Sequence, residues 1–137
     1  MSDCIFCSIV SGTAPSWTVY EDKYIKAFFD VNPASIWHTL IVPKQHYKSI
    51  YDVPEKYLQK IIVFAKKLAI SYKKIFWFEN INIINSSWEL AWQDTFHFHL
   101  HVIPRYDWDG INFVYTPNAA IVKDFDSILK KIRKELS

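Results

Sequence analysis

Phe96-His97-Phe98-His99-Leu100-His101-Val102-Ile103 puts three of the chain's five histidines at alternate positions, with large apolar residues between them. A β-strand sends alternate side chains to opposite faces. A strand here predicts Phe96, Phe98, Leu100 and Val102 in the core, and His97, His99 and His101 in a row on the other face, about 6–7 Å apart. Three readings of that row are open. It can be a solvated face that carries histidine by chance. Two imidazoles at i and i+2 can also grip one Zn²⁺. In the third, neutral imidazole, with its pKa of about 6.5, acts as a nucleophile or general base. Catalysis with metal as support is favoured, because Cys4, Cys7 and His46 can complete a tetrahedral site with one histidine and leave the others free.

Upstream, Trp17 to Glu21, Tyr24 to Asp30 and Ile36 to Val42 are rich in aromatic and β-branched residues and read as strands, separated by Glu21-Asp22-Lys23 and Asn32-Pro33. Ile81 to Asn85 reads as a further strand. Between them, Leu58, Ile61, Ile62, Ala65, Leu68, Ala69 and Tyr72 recur at helical spacing. Asp52 and Glu55, with Pro54 between, form a capping box that opens this helix. A last helix over 124–136 has Phe125, Ile128, Leu129, Ile132 and Leu136 on the face expected to be buried. The order predicts an α+β fold: an antiparallel sheet of about five strands with a long central helix and a C-terminal helix.

The chain has 137 residues, which predicts a single domain, 1–137. Half of it is apolar and 22% is charged, so it can bury a core. Sixteen Lys and Arg against fourteen Asp and Glu give +2 without a block of either sign, so no nucleic-acid or membrane partner is expected. The longest strictly apolar stretches, such as Ile61 to Ala65, are far short of the ~20 residues needed to span a bilayer. The N-terminus lacks a secretory pattern. A cytoplasmic protein is expected.

Both cysteines lie in Cys4-Ile5-Phe6-Cys7. Two cysteines make no secreted disulfide framework, and the spacing suits a metal clip, a redox pair or neither.

His97-Phe98-His99-Leu100-His101-Val102-Ile103 resembles the signature of the histidine triad (HIT) family, and the likeness extends over almost the whole chain. Cys4 to Cys7 with Ile9, Gly12 and Pro15, then Val19-Tyr20-Glu21-Asp22, Phe29-Asp30-Val31-Asn32-Pro33, His38-Thr39-Leu40-Ile41-Val42-Pro43-Lys44 and Ile103-Pro104-Arg105-Tyr106 fall in the family's order. The pattern is most similar to the bacterial Hint-like branch. That resemblance implies a nucleotide hydrolase or transferase, usually a homodimer, acting on a purine nucleotide through a covalent nucleotidyl-histidine. It implies His99 as nucleophile, His101 at the α-phosphate and leaving group, and His38 and His97 as supports. Asp30 matches the acid that binds ribose hydroxyls, and Gln93 matches a residue of the phosphate loop. Ser86 replaces an Asn or Gln of the nucleotide site, with Asn85 adjacent. The resemblance also implies a structural Zn²⁺ on Cys4, Cys7, His46 and His97, with no catalytic metal or organic cofactor. The residues alone also allow plainer roles: a turn at Asp30, a core histidine at 38, a surface loop histidine at 46. A zinc-stabilised binding or scaffold protein with weak catalysis is the alternative function, and a redox protein using Cys4 and Cys7 is a third.

The sequence departs from the family in one respect. Glycine averages about 7% of residues, roughly ten in a chain this long, but only Gly12 and Gly110 are present, beside six tryptophans. The family's loop before the triad is glycine-rich, whereas this chain has Ser86-Ser87-Trp88-Glu89-Leu90-Ala91-Trp92-Gln93. Trp37, Trp77 and Trp108 also stand where glycine is expected. Either the bulky residues reshape the site, or they are UGA codons written as tryptophan that the source organism reads as glycine.

Overall fold

The computed structural model describes residues 3–137. Its frame is five strands, β1 (Thr18–Glu21), β2 (Ile25–Phe29), β3 (Thr39–Pro43), β4 (Asn80–Ile84) and β5 (Leu100–Arg105), in the order β1-β2-β3-β5-β4 with every neighbouring pair antiparallel. Three helices accompany them: α1 (Ile5–Ser11), α2 (Glu55–Phe76) and α3 (Phe125–Leu136). The α+β architecture and the five-stranded sheet are as expected. Among the described residues no helix is long and apolar enough to cross a membrane.

The strand period sorts the core into two layers. Ile25, Ala27, Ile41, Leu100 and Val102 turn to one face, where Ile61, Ala65, Leu68 and Tyr72 of α2 cover them. Phe28, Leu40 and Val42 turn to the other and meet Phe6 and Ile9 of α1. With both faces covered, β3 is buried along its whole length, the pattern of a doubly packed strand. Helix α1 leaves no periodic signal in the sequence, because seven residues with two buried positions are too few to show a period. Gly12 closes it with φ of 82°, and the buried Lys26 ammonium on β2 donates to the Ile9 carbonyl at 3.0 Å.

Three local expectations are corrected. Asp52 does not cap α2; its carboxylate accepts from the Lys48 and Ser49 amides, and Pro54 holds the N-cap position without a side-chain bond. Regular strand begins at Leu100 instead of Phe96, because the Phe98 amide donates to Tyr47 and the Asn85 carboxamide takes the His99 carbonyl. Helix α3 does form, but its apolar stripe of Phe125, Ile128, Leu129, Ile132 and Leu136 is exposed: the chain leaves the sheet after β5, and the main contacts of α3 are with the preceding turn, Ala119–Asp124.

Candidate active site

Register places the histidines. Leu40 of β3 pairs with His101 of β5, so His38, just before β3, comes beside His101. Leu100 and Val102 face α2, which leaves His97, His99 and His101 on the α1 side. The expected row therefore exists, but α1 covers it: Phe6 packs edge-on against His97 and His99, with ring centroids 6.0 and 5.1 Å away. His97, His99 and His38 are buried. That removes the solvated-face reading.

The hydrogen-bond partners settle each imidazole's tautomer, since a carbonyl only accepts and an amide only donates. His99 Nδ1 lies 2.8 Å from the His97 carbonyl, so it carries hydrogen, and in the neutral ring Nε2 presents a lone pair. The Ala34 amide donates to His38 Nδ1 at 2.9 Å, which puts the His38 hydrogen on Nε2, 2.8 Å from His101 Nδ1. His101 accepts there and so carries its own hydrogen on Nε2. The His99 and His101 rings stand 4.8 Å apart between centroids, so the site pairs an unprotonated nitrogen with an N–H donor.

Burial favours the neutral form of His38 and His101. It is the main cause that pushes His101 down to about 4, with His99 and His38 adding smaller repulsions. His38 is lowered by burial against the opposing pull of Asp30.

His99 and His101 line one end of a cavity of about 320 Å³. Phe6, Ile9, Phe28 and Leu40 form an apolar slot in it, and Asp30 and Asn32 lie on its polar wall. Asp30 uses Oδ1 to accept from the Asn32 amide at 2.8 Å, which is the turn role, while Oδ2 stands 3.6 Å from His38 Nε2. Asn85 and Gln93 work one layer back. Asn85 donates to the His99 carbonyl and accepts from Ser87. The buried Gln93 carboxamide accepts from the Trp88 amide at 2.8 Å and donates to the Lys48 and Thr95 carbonyls, so it ties the loop together. Ser86 is half-buried on that segment and outside the cavity lining.

The structure adds residues that the sequence reading passed over. Phe6, Ile9, Phe28 and Leu40 have no role assigned by the sequence, and only the packing of α1 on the sheet makes them a pocket wall. Asp94, whose Oδ1 lies 3.5 Å from His99 Nε2, had no motif of its own.

A second cluster lies next to the first. Cys4, Cys7, His46 and His97 bring four ligand atoms within 4.8 Å of one another. His97 Nε2 donates to the Pro43 carbonyl at 2.8 Å, which turns the lone pair of Nδ1 toward both sulfurs at 3.5 Å. His46 Nδ1 stands 3.2 Å from the Cys7 sulfur. Two thiols and two imidazoles, one oriented by a backbone carbonyl, are a donor set that fits a tetrahedral metal.

The HIT domain family model matches residues 11–108, and the chain belongs to that family. A HIT-like protein of Methanocaldococcus jannaschii is 40% identical over 132 residues, 95% of this chain and 98% of that one. The adenosine 5'-monophosphoramidase of Saccharomyces cerevisiae is 36% identical over 97% of this chain and 80% of its own length. Among solved structures, a HIT family member from Bacillus subtilis superposes with a TM-score of 0.90 at 34% identity, covering 99% of each chain. A Zn-bound histidine triad protein from Mycobacterium smegmatis gives 0.76 at 30% identity, covering 92% of this chain and 97% of that one.

Proposed function

We propose that this protein is a nucleotide hydrolase or transferase that cleaves at the α-phosphate of a purine nucleotide through a covalent intermediate on His99. The observation that carries the reading is the setting of His99: its Nδ1–H is held by the His97 carbonyl, which leaves Nε2 as the nitrogen available for attack, on a residue that lines the cavity. The apolar slot suits a flat base, and the Asp30 carboxylate suits ribose hydroxyls because it accepts from two donors. In the first half-reaction His99 Nε2 forms a bond to phosphorus while the bond from phosphorus to the leaving nitrogen or oxygen breaks. The neutral His101 Nε2–H donates a hydrogen bond to the departing atom, which leaves with a proton taken from solvent; water then attacks phosphorus, breaks the phosphorus–Nε2 bond, leaves its hydroxyl on the phosphate and returns a proton to solvent. Relatedness to the yeast phosphoramidase favours an amine as leaving group.

Zinc on Cys4, Cys7, His46 and His97 belongs to the same reading. It would tie α1 to the histidine segment and supply stability, taking no part in the reaction. The reading includes a cytoplasmic homodimer of single-domain chains, with the uncovered stripe of α3 against the second copy.

The test is release of nucleoside monophosphate from an adenosine phosphoramidate by the parent and by His99→Ala, with rapid acid quench and peptide mapping for nucleotide on His99. Turnover by the parent, none by the variant, and label at His99 are expected. Equal turnover by both proteins overturns the reading. A second reading, a zinc-stabilised nucleotide-binding or scaffold protein, is favoured by the bulky tryptophans in the loop over residues 86–93. It predicts nucleotide binding by both proteins and turnover by neither.

A further inference from the structure

We propose that Trp37, Trp77, Trp88, Trp92 and Trp108 are glycines in the protein its source organism makes, each encoded by a UGA codon that the organism reads as glycine. Backbone geometry carries this, independently of the function proposed above. Among the described residues seven have φ in the left-handed region: Gly12, Gly110 and these five tryptophans. No asparagine or aspartate, the side chains that tolerate that region next best, is there.

Each position is one where glycine has a mechanical reason. Trp77 ends α2 with φ 64° and ψ 15°, its amide donating to the Lys73 carbonyl, which is the C-terminal turn that glycine normally closes. Trp92 does the same for the short turn Glu89–Ala91 at φ 65° and ψ 37°. Trp88 sits at φ 75° and ψ 165°, a region essentially confined to glycine. Trp37 and Trp108 have φ of 59° and 62°, next to His38 and Asp109.

The side chains return little for that strain. Trp77, Trp92 and Trp108 are 86%, 89% and 97% exposed, although tryptophan is on average among the more buried residues. Trp37 does stack on Phe76 and lies against Phe78, and Trp88 meets Phe96 edge-on, but contacts at two positions do not explain five. The remaining tryptophan is the internal control. Trp17, just before β1, has no positive φ, and its carbonyl accepts from the Phe29 amide at the end of β2.

Codon chemistry connects the two residues, since UGA differs from the glycine codon GGA by one base. Glycine at 88 and 92 would also clear two indoles from the loop that Gln93 ties beside the cavity, where backbone can then approach a phosphate.

The experiment reads the gene and the native protein together. UGA is expected at codons 37, 77, 88, 92 and 108 and UGG at codon 17. Peptides from cells of the source organism are expected to weigh as glycine at the five sites and as tryptophan at 17. A UGG codon at any of the five, or a native peptide with the tryptophan mass at any of them, overturns the proposal. A recombinant pair adds a physical readout: the protein carrying all five Trp→Gly changes melts higher than the tryptophan form, and an equal or lower melting temperature counts against it.

Discussion

His38 Nε2 donates to His101 Nδ1 at 2.8 Å across the β3–β5 ladder, and this bond determines which nitrogen of His101 faces the cavity as an N–H. His38 is thus a positioning residue, acting through His101. His38→Ala is expected to lower kcat by about 10–100-fold, the usual cost of removing a group that orients an active imidazole, with little change in KM. His38→Gln, whose amide can still donate, recovers part of it. Steady-state kinetics on the two variants checks this; a pure KM effect would contradict the role.

The depressed His101 pKa makes stability pH-dependent. Between about pH 6.5 and 4 the unfolded chain protonates this imidazole while the folded one keeps it neutral. The unfolded state then binds more protons, so stability falls as pH falls through that window, by at most about 1.4 kcal/mol per pH unit. Urea unfolding at several pH values should show His101→Gln losing less stability than the parent over the same range.

Asp30 lines the cavity and divides its two oxygens between a turn and the His38 ring. Asp30→Asn keeps an acceptor for the Asn32 amide and removes the charge facing the ligand. Losing one charge-assisted hydrogen bond to a ribose hydroxyl is expected to weaken nucleotide binding about 10-fold, with the melting temperature nearly unchanged. Calorimetric titration of a nucleoside monophosphate measures it.

Removing metal from the thiol–imidazole cluster is expected to act on stability. Cys7→Ser should lower zinc content by elemental analysis and reduce Tm at roughly 4 °C for each kcal/mol lost. Because His99 is outside the ligand set, turnover well below the melting transition should persist.

The exposed stripe of α3 predicts an assembly state. Ile132→Asp places a charge in its middle and should shift sedimentation from dimer to monomer. A parent that sediments as a monomer at micromolar concentration would remove the second copy from the proposal.

Much of this protein is legible in one dimension. The alternation from Phe96 to Ile103 assigns which side chains leave the sheet together, because a period of two holds whatever the strand packs against. The helical repeat from Ile61 to Tyr72 likewise requires a cover on one face of the sheet. The excess of tryptophan over glycine was visible too, since backbone sterics restrict the left-handed region to few residue types and a glycine-poor chain still has to turn.

Tertiary structure decided the rest. No pattern in Phe6 or Ile9 shows that α1 lies over the histidine row, yet that packing turns a polar strand face into a buried site. The His38–His101 bond joins residues 63 positions apart in the chain and exists only because β3 and β5 pair in one register. The failure of α3 to pack had the same origin: amphipathicity shows that a helix has an apolar face, while which surface lies within its reach depends on where the chain leaves the sheet.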